Sequence, residues 1–426
     1  MSGPSLQPPR GTRDFYPDDF RRRGWLFERF RRVADRFAFE EIDAPVLEHA
    51  ELFTRKAGEE IVDQLYHFEL HGRHLALRPE MTPQVARMVM ARAGGTAFPL
   101  RWFSLTQNWR YERMMRGRLR EHYQWNMDIW GEPDVTAEAE LIASVFSLLD
   151  DLGLARDAVG IRINSRALLE ASLRAGALAR KPEAFEPLCI VIDKLSKIGA
   201  EAVIEQLTDP AGPVGLERSA AEEVLGFLEA KDLGEAAQRG GRGTAPLAEL
   251  ERLFGLLEAY GVADRVTFDA SVVRGLAYYT GIVFEAFDTK GELRSICGGG
   301  RYDRLTQALG GKPIPAAGFG FGDVVIAELL EEQGLVANET RSLDEVVYAR
   351  EDAQRPAAIA LCTRLRAEGR SVDLVLGQQS QKRALKDADR HGAKRIWVIG
   401  PEEAARGVCW VRDLKSGEQT EEPLPS

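Results

Sequence analysis

Residues 109–125 read WRYERMMRGRLREHYQW, placing Arg110, Arg113, Arg116, Arg118 and Arg120 within seventeen residues and no lysine among them. The chain as a whole is acidic, with 56 basic against 66 acidic side chains. Guanidinium grips phosphate oxygens in a planar fork that ammonium cannot reproduce, so an all-arginine cluster suits a polyphosphate ligand. Five like charges in one stretch also repel one another until an anion arrives.

Two strands with a shared polar face would position these groups. From 103 to 112, Ser104, Thr106, Asn108, Arg110 and Glu112 alternate with Phe103, Leu105, Gln107, Trp109 and Tyr111. From 122 to 129, His122, Gln124, Asn126 and Asp128 alternate with Tyr123, Trp125, Met127 and Ile129. Period two puts each set on one side of a strand, and MMRGRLR joins the strands as a loop. A hairpin with one solvated face is the ordinary alternative. Asn, Gln, Ser and Thr on the polar side suit directional hydrogen bonding better than mere solvation.

Around this hairpin the pattern predicts an amphipathic helix over 19–38, carrying Leu26, Phe30, Val33 and Phe37. A short strand ended by Pro45 follows, then strand-like segments to about residue 130 and a helix over 136–151. Residues 165–258 turn helical and rich in Ala, Leu and Glu, with breaks at DPAGPVG (209–215) and QRGGRG (238–243). Strands return at VTFDASVV and YYTGIVFEAFD, before the glycine-rich SICGGGRYD. After a linker over 331–344, VVYA, a helix over 354–368, VDLVL, a helix over 381–391 and RIWVIG predict a small, mostly parallel α/β domain. The expected division is 1–164 and 259–330 for a core, 165–258 for a helical insertion and 345–426 for the terminal domain.

Hydrophobic content of 44% and charged content of 29% describe an ordinary globular protein. No apolar run approaches the ~20 residues needed to cross a bilayer. The N-terminal MSGPSLQPPRGTRDFYPDD has no apolar core, so no secretory signal and a cytoplasmic location are expected. Cys189, Cys297, Cys362 and Cys409 form no CxxC pair and read as reduced, buried thiols. His67 and His74 flank an expected hairpin turn at HGR that begins with His71, and without a completing Cys or carboxylate no metal site is expected there.

WRYE (109–112) with its loop and returning strand resembles motif 2 of the class II aminoacyl-tRNA synthetases. RGTRDFYP (10–17), LRPEMTPQVAR (77–87), VRGLAYYTGIVFE (273–285) and CGGGRYDRL (297–305) narrow the resemblance to histidyl-tRNA synthetases, over essentially the whole chain. It implies an antiparallel catalytic sheet with a helical insertion and an α/β anticodon-binding module. It also implies two steps: histidine and ATP form histidyl-adenylate and pyrophosphate, and the terminal ribose hydroxyl of the tRNA then takes the histidyl group. Charge stabilisation and alignment are the main demands of the first step.

The resemblance assigns residues. Arg110 would hold the α-phosphate, with Arg118, Arg120 and Arg113 closing over the other phosphates and Glu112 on the adenine side. Arg274 would sit beside the reacting carboxylate and α-phosphate. Glu80 and Thr82 would take the α-amino group. Gln124 and Asp128 would surround the substrate, with Tyr279 and Tyr302 near the imidazole and Gly298, Gly299 and Gly300 allowing close backbone approach. Mg²⁺ is expected with ATP, and a homodimer through the segment around Pro45. No membrane partner is expected.

Three departures stand out. Asp128 replaces the family's Glu, and Ala277 replaces the acid of RGLDYY. In GFGFGDVVIAELL (318–330), Asp323, Val324 and Val325 stand where motif 3 has Glu and Arg. Arg301 and Arg304 are candidates for the missing cation. That gap sustains a second reading, a non-catalytic histidine-binding regulatory subunit of histidine biosynthesis; an RNA-binding protein without ATP chemistry is a third. Residues 381–395 carry six basic and two acidic side chains, as an RNA contact or as a solvated helix face.

Overall fold

The computed structural model describes residues 5–54, 63–273, 278–291, 293–336, 341 and 343–425. The chain divides into two compact units, one of Met1–Asp14 with Gly24–Val336 and one of Phe15–Arg23 with Ala337–Ser426.

The first unit is organised by an eight-stranded sheet. Its strands are β1 (Glu40–Glu41), β5 (Leu100–Trp109), β6 (Glu121–Trp130), β7 (Val159–Ser165), β8 (Val266–Phe268), β9 (Ile282–Asp288), β10 (Cys297–Arg301) and β11 (Ala316–Gly322). They lie in the order β1-β5-β6-β11-β10-β9-β7-β8. The five central pairings are antiparallel, and only the outer β1/β5 and β7/β8 pairs are parallel. A smaller sheet holds β2 (Leu47–His49), β4 (Arg73–Leu77) and β3 (His67–Leu70), with His71 and Gly72 in the β3/β4 turn. In that hairpin the ring nitrogens of His67 and His74 lie 2.9 Å apart.

One face of the large sheet is apolar, with Phe103, Trp125, Met127, Ile129, Phe319 and Phe321 in a single core. The helix Pro17–Arg36 turns Leu26, Phe30, Val33 and Ala34 into it, and Phe30 stacks on Trp125 with centroids 5.2 Å apart. The helix Thr136–Asp151 buries eleven of its sixteen residues against the same face. Between β7 and β8 the chain is helical, from Arg166–Ala175 to Ala245–Ala259, and the turn over Ala237–Gly241 breaks regular helix at Arg239 and Gly240. Two described segments differ from the strand-like expectation: Ala50–Thr54 is a short helix, and Thr82–Arg92 is a longer one. Pro83 opens its first turn, where a missing N–H costs nothing, and Val85, Ala86 and Val89 fall on its buried side.

In the second unit, β12 (Leu343–Ala349), β13 (Val372–Leu374) and β14 (Ala393–Ile399) pair in parallel. An antiparallel hairpin of β15 (Val408–Asp413) and β16 (Gln419–Pro423), for which the sequence reading named no strand, extends the sheet. Helices Arg355–Ala367 and Gln381–Arg390 pack on separate apolar clusters, through Leu361 and Leu365 in one and Ala384 and Ala388 in the other. Glu345 is fully buried and accepts from Arg370, Arg395 and Trp397.

An ion pair fixes the end of β10. Arg301 donates through Nε and Nη2 to both carboxylate oxygens of Glu138 at 2.7 and 2.6 Å, and through Nη1 and Nη2 to the carbonyls of Glu132 and Asp134. Both side chains are buried, so removing one partner strands the other charge. Glu138→Ala is expected to destabilise the first unit by about 3–5 kcal/mol in urea unfolding; a change below about 1 kcal/mol would show that the pair is not needed.

Candidate active site

The polar face predicted for the arginine hairpin exists and is buried. Ser104 pairs with Asn126, Thr106 with Gln124 and Asn108 with His122 across β5/β6. Ser104, Thr106, Asn108, Asn126 and Asp128 are all nearly inaccessible. Asn108 Nδ2 donates to Gln124 Oε1 at 3.1 Å, yet Asn108 Oδ1 and Ser104 Oγ have no hydrogen-bond partner. Buried polar atoms without partners are costly in a fold and ordinary in a site that awaits a ligand. Close glycines make room: a Cβ on Gly318 would lie 2.6 Å from Asp128 Oδ1, and one on Gly320 would strike the amide of Gln124.

Glu80 enters this space from the turn before the helix Thr82–Arg92, whose first residue, Thr82, is also buried. Arg78 holds the turn by donating to the carbonyls of Gln107 and Ala44, at 2.9 and 2.7 Å, and Arg110 Nε donates to the Pro79 carbonyl at 2.9 Å. The Tyr278 hydroxyl donates to Glu80 Oε2 at 2.8 Å, and the Tyr302 hydroxyl donates to Asp128. Tyr278, Tyr279 and Tyr302 form a ring cluster with centroids 5.0 to 6.3 Å apart. The two buried carboxylates are thus linked through the edge-on pair Tyr278 and Tyr302, and each raises the proton affinity of the tyrosine it meets. Burial pushes the Asp128 carboxyl up to about 7; the Tyr302 hydrogen bond opposes this and the charge of Glu80 adds to it. Burial also raises Glu80, against the pull of Arg110 and Tyr278.

The glycines of β10 divide. A Cβ on Gly299 would meet the Gly318 carbonyl at 2.5 Å, the Phe284 ring and the Phe319 Cβ, so Gly299 serves strand packing on the apolar side. A Cβ on Gly300 would sit 3.0 Å from the Tyr279 ring, on the side of the polar pocket.

The arginines are distributed over different partners. Arg110 follows the end of β5, its N–H donating to the Arg120 carbonyl at 2.9 Å. Arg118 pairs with the buried Glu112. Arg116 pairs with Glu328 and Glu332, and the Gly117 N–H donates to Glu328 at 2.9 Å, so the loop rests on the helix Asp323–Glu332. Arg120 lies over the Tyr111 ring at 3.8 Å, a cation–π contact. Arg301 is committed to Glu138 and is a poor candidate for the missing motif 3 cation, because its donors are taken by Glu138, Asp303 and the carbonyls of Glu132 and Asp134. Arg304 is exposed ahead of the short helix Leu305–Ala308. Arg274 and Ala277 lie outside the described residues.

Besides Tyr278, two residues were missed as site groups in the sequence. Arg13 Nε donates to Glu121 at 2.7 Å and its Nη2 to Asp323 at 3.0 Å, and Asp323 also accepts from the Tyr123 N–H at 2.8 Å. Asp323 therefore serves the fold as an anchor at the start of its helix. Only the RGTR spacing hinted at Arg13, and nothing local foretells a contact 310 residues away. His122 is the other: burial first, then the charges of Arg110, Arg13 and Arg118, push its imidazole down to about 3, so it stays neutral among the guanidiniums. Among the described residues no three His, Cys, Asp or Glu side chains converge as metal ligands, and no helix is long and apolar enough to cross a membrane.

The buried acidic Asp128 and the arginine hairpin thus lie on one largely antiparallel sheet. The family profile described as histidyl-tRNA synthetase matches residues 11–322, and that of an anticodon binding domain matches 336–424. The chain is 48% identical to the chloroplastic/mitochondrial histidine–tRNA ligase of Arabidopsis thaliana, covering 97% of this chain and 84% of the relative. It is 41% identical to the histidine–tRNA ligase of Opitutus terrae, covering 97% and 95%. The histidyl-tRNA synthetase structure from Nostoc superposes with a TM-score of 0.75 at 24% identity, covering 99% and 97%. A Bacillus halodurans structure titled ATP phosphoribosyltransferase regulatory subunit/histidyl-tRNA synthetase gives 0.74 at 23% over 94% and 99%, a likeness of fold alone. The chain belongs to the histidyl-tRNA synthetase family, and its activity is that of a histidine–tRNA ligase. The regulatory-subunit alternative is not better supported.

The Asp128 carboxyl changes charge near neutral pH, where burial has moved its proton affinity. A cationic ligand favours the ionised form, which prevails above about pH 7, so affinity falls as pH drops through that value. Without ligand, the raised pKa contributes stability below the unfolded value that is lost as pH rises through about 7. The KM for histidine is expected to rise about three- to tenfold between about pH 8 and about pH 6. Asp128→Asn should raise KM at the higher pH and remove the component centred near 7; an unaltered profile in that variant would exclude Asp128 as its source.

Proposed function

We propose that histidine binds with its ammonium on Glu80 and Thr82 and its imidazole among Asp128, Tyr302, Tyr279 and Gln124. The carrying observation is the buried pair of carboxylates, each met by a tyrosine hydroxyl, beside Arg110. ATP lies against the arginine hairpin, its α-phosphate on Arg110 and Arg274, its adenine toward Glu112 and its outer phosphates under Arg113, Arg118 and Arg120. Arg118 exchanges Glu112 for phosphate as the nucleotide enters. Mg²⁺ arrives as part of the nucleotide substrate.

A histidine carboxylate oxygen attacks the α-phosphorus, a new P–O bond forms and the bond to pyrophosphate breaks. Two fixed guanidiniums offset the repulsion between the anionic reactants, and no protein nucleophile is needed. The ribose hydroxyl at the tRNA terminus then attacks the mixed anhydride carbonyl, loses its proton and releases AMP.

We assign catalysis to residues 1–164 and 259–330, with 165–258 inserted between them, 331–344 as linker and 345–426 contacting tRNA. Lys382, Arg383, Lys386 and Arg390 are exposed on a helix that buries only Ala384 and Ala388, which suits phosphate contact. A homodimer is proposed through the segment around Pro45, and a cytoplasmic setting accords with four buried, free cysteines.

ATP–pyrophosphate exchange tested with several amino acids should proceed with histidine alone. Arg110→Ala and Arg274→Ala should each lower it by about two to three orders of magnitude; near-parent rates in either variant would remove that residue from the assigned role.

A further inference from the structure

A cavity of about 370 Å³ beside the hairpin is lined by Arg10, Arg113, Met114 and Arg120. Three of its four walls are guanidinium-bearing, and no carboxylate lines it among the described residues. Elsewhere on the loop, Arg116 and Arg118 already face Glu328, Glu332 and Glu112. This cavity is therefore where positive charge is left uncompensated by the fold. Two of its arginines come from the hairpin, and the third comes from a segment about a hundred residues earlier.

That segment is held firmly. The Gly11 carbonyl accepts from the N–H groups of Arg120 and Glu121, at 2.9 and 3.3 Å, continuing the hairpin strand. Gly11 has φ +91°, and a Cβ there would lie 2.8 Å from the Arg120 side chain, so the backbone approaches as only glycine permits. Two residues on, Arg13 clamps Glu121 to Asp323 at the start of the helix Asp323–Glu332. The first three residues of that helix, Asp323, Val324 and Val325, offer no cation. Arg13 is the anchor, and Arg10 is carried to the cavity by it.

We propose that Arg10 binds the β- and γ-phosphates of ATP, and pyrophosphate in the reverse direction, together with Arg113 and Arg120. The inference rests on the placement of ATP at the hairpin proposed above. Three arginines lining one cavity match an anion of several charges, and charge-assisted hydrogen bonds from each would hold it in one orientation. The missing cation of the helix is supplied from the N-terminal segment instead.

Arg10 is exposed, so its replacement leaves the fold intact. In histidine-dependent exchange, Arg10→Ala should raise the KM for both ATP and pyrophosphate about tenfold, with Arg10→Lys between it and the parent. Binding of a sulfamoyl mimic of histidyl-adenylate, which has no β- or γ-phosphate, should change less than twofold. Unchanged KM values in Arg10→Ala, with an active parent, would overturn the inference alone. A parallel loss of mimic binding would also overturn it, placing Arg10 in the fold. A parent that neither binds the mimic nor exchanges pyrophosphate would refute the ATP placement and this inference with it.

Discussion

Glu80 and Asp128 are held out of water with tyrosine hydroxyls as their hydrogen-bond donors, and much of the first unit follows from accommodating them. A hydroxyl does not neutralise a carboxylate, so both groups hold their protons more tightly than usual. Such a pair is a poor way to stabilise a core. It is a good way to recognise a ligand with an ammonium and a basic ring, since the ligand supplies what the fold withholds. The antiparallel strands β6 and β11 bring Asp128 opposite Gly318 and Gln124 opposite Gly322, and the glycines of β11 leave space where side chains would fill the pocket. Arg78 and Arg110 fix the turn of Glu80 through its neighbours' backbone, so both carboxylates face one volume.

The arginines follow a complementary rule. Where the fold needs a fixed point, a guanidinium is saturated by carboxylate and carbonyl groups, as Arg301 is by Glu138 and its neighbours. Elsewhere a guanidinium meets an aromatic face and a cavity, as Arg120 does. The loop contacts of Arg116 fall between these cases, since partly exposed ion pairs contribute little to the fold.

Much of this was legible in the sequence because it is local. The alternation from 103 to 129 placed the polar and apolar faces of β5 and β6, and the bulk of that polar face proved buried. Period two also correctly set Gln124 and Asp128 on one side. What stayed hidden depends on partners far along the chain. Arg301 looked like a free cation in CGGGRYD until Glu138 was seen beneath it. Asp323 looked like an obstacle to phosphate until Arg13 was seen to engage it. Gly299 and Gly300 are adjacent in sequence and face opposite sides of the sheet, which a glycine run without side chains cannot reveal. The hairpin β15/β16 escaped notice because all five residues of Gln419–Pro423 are exposed and carry no alternation.

The protonation of Asp128 is the most direct test of the claim that these carboxylates wait for a cationic ligand. Difference infrared spectroscopy near pH 6.5, with and without histidine, reads it without recourse to turnover. The account predicts a carbonyl-stretch band of a protonated carboxylic acid that histidine abolishes in the parent and that is absent from Asp128→Asn. A spectrum in which histidine binds and that region is silent would contradict it.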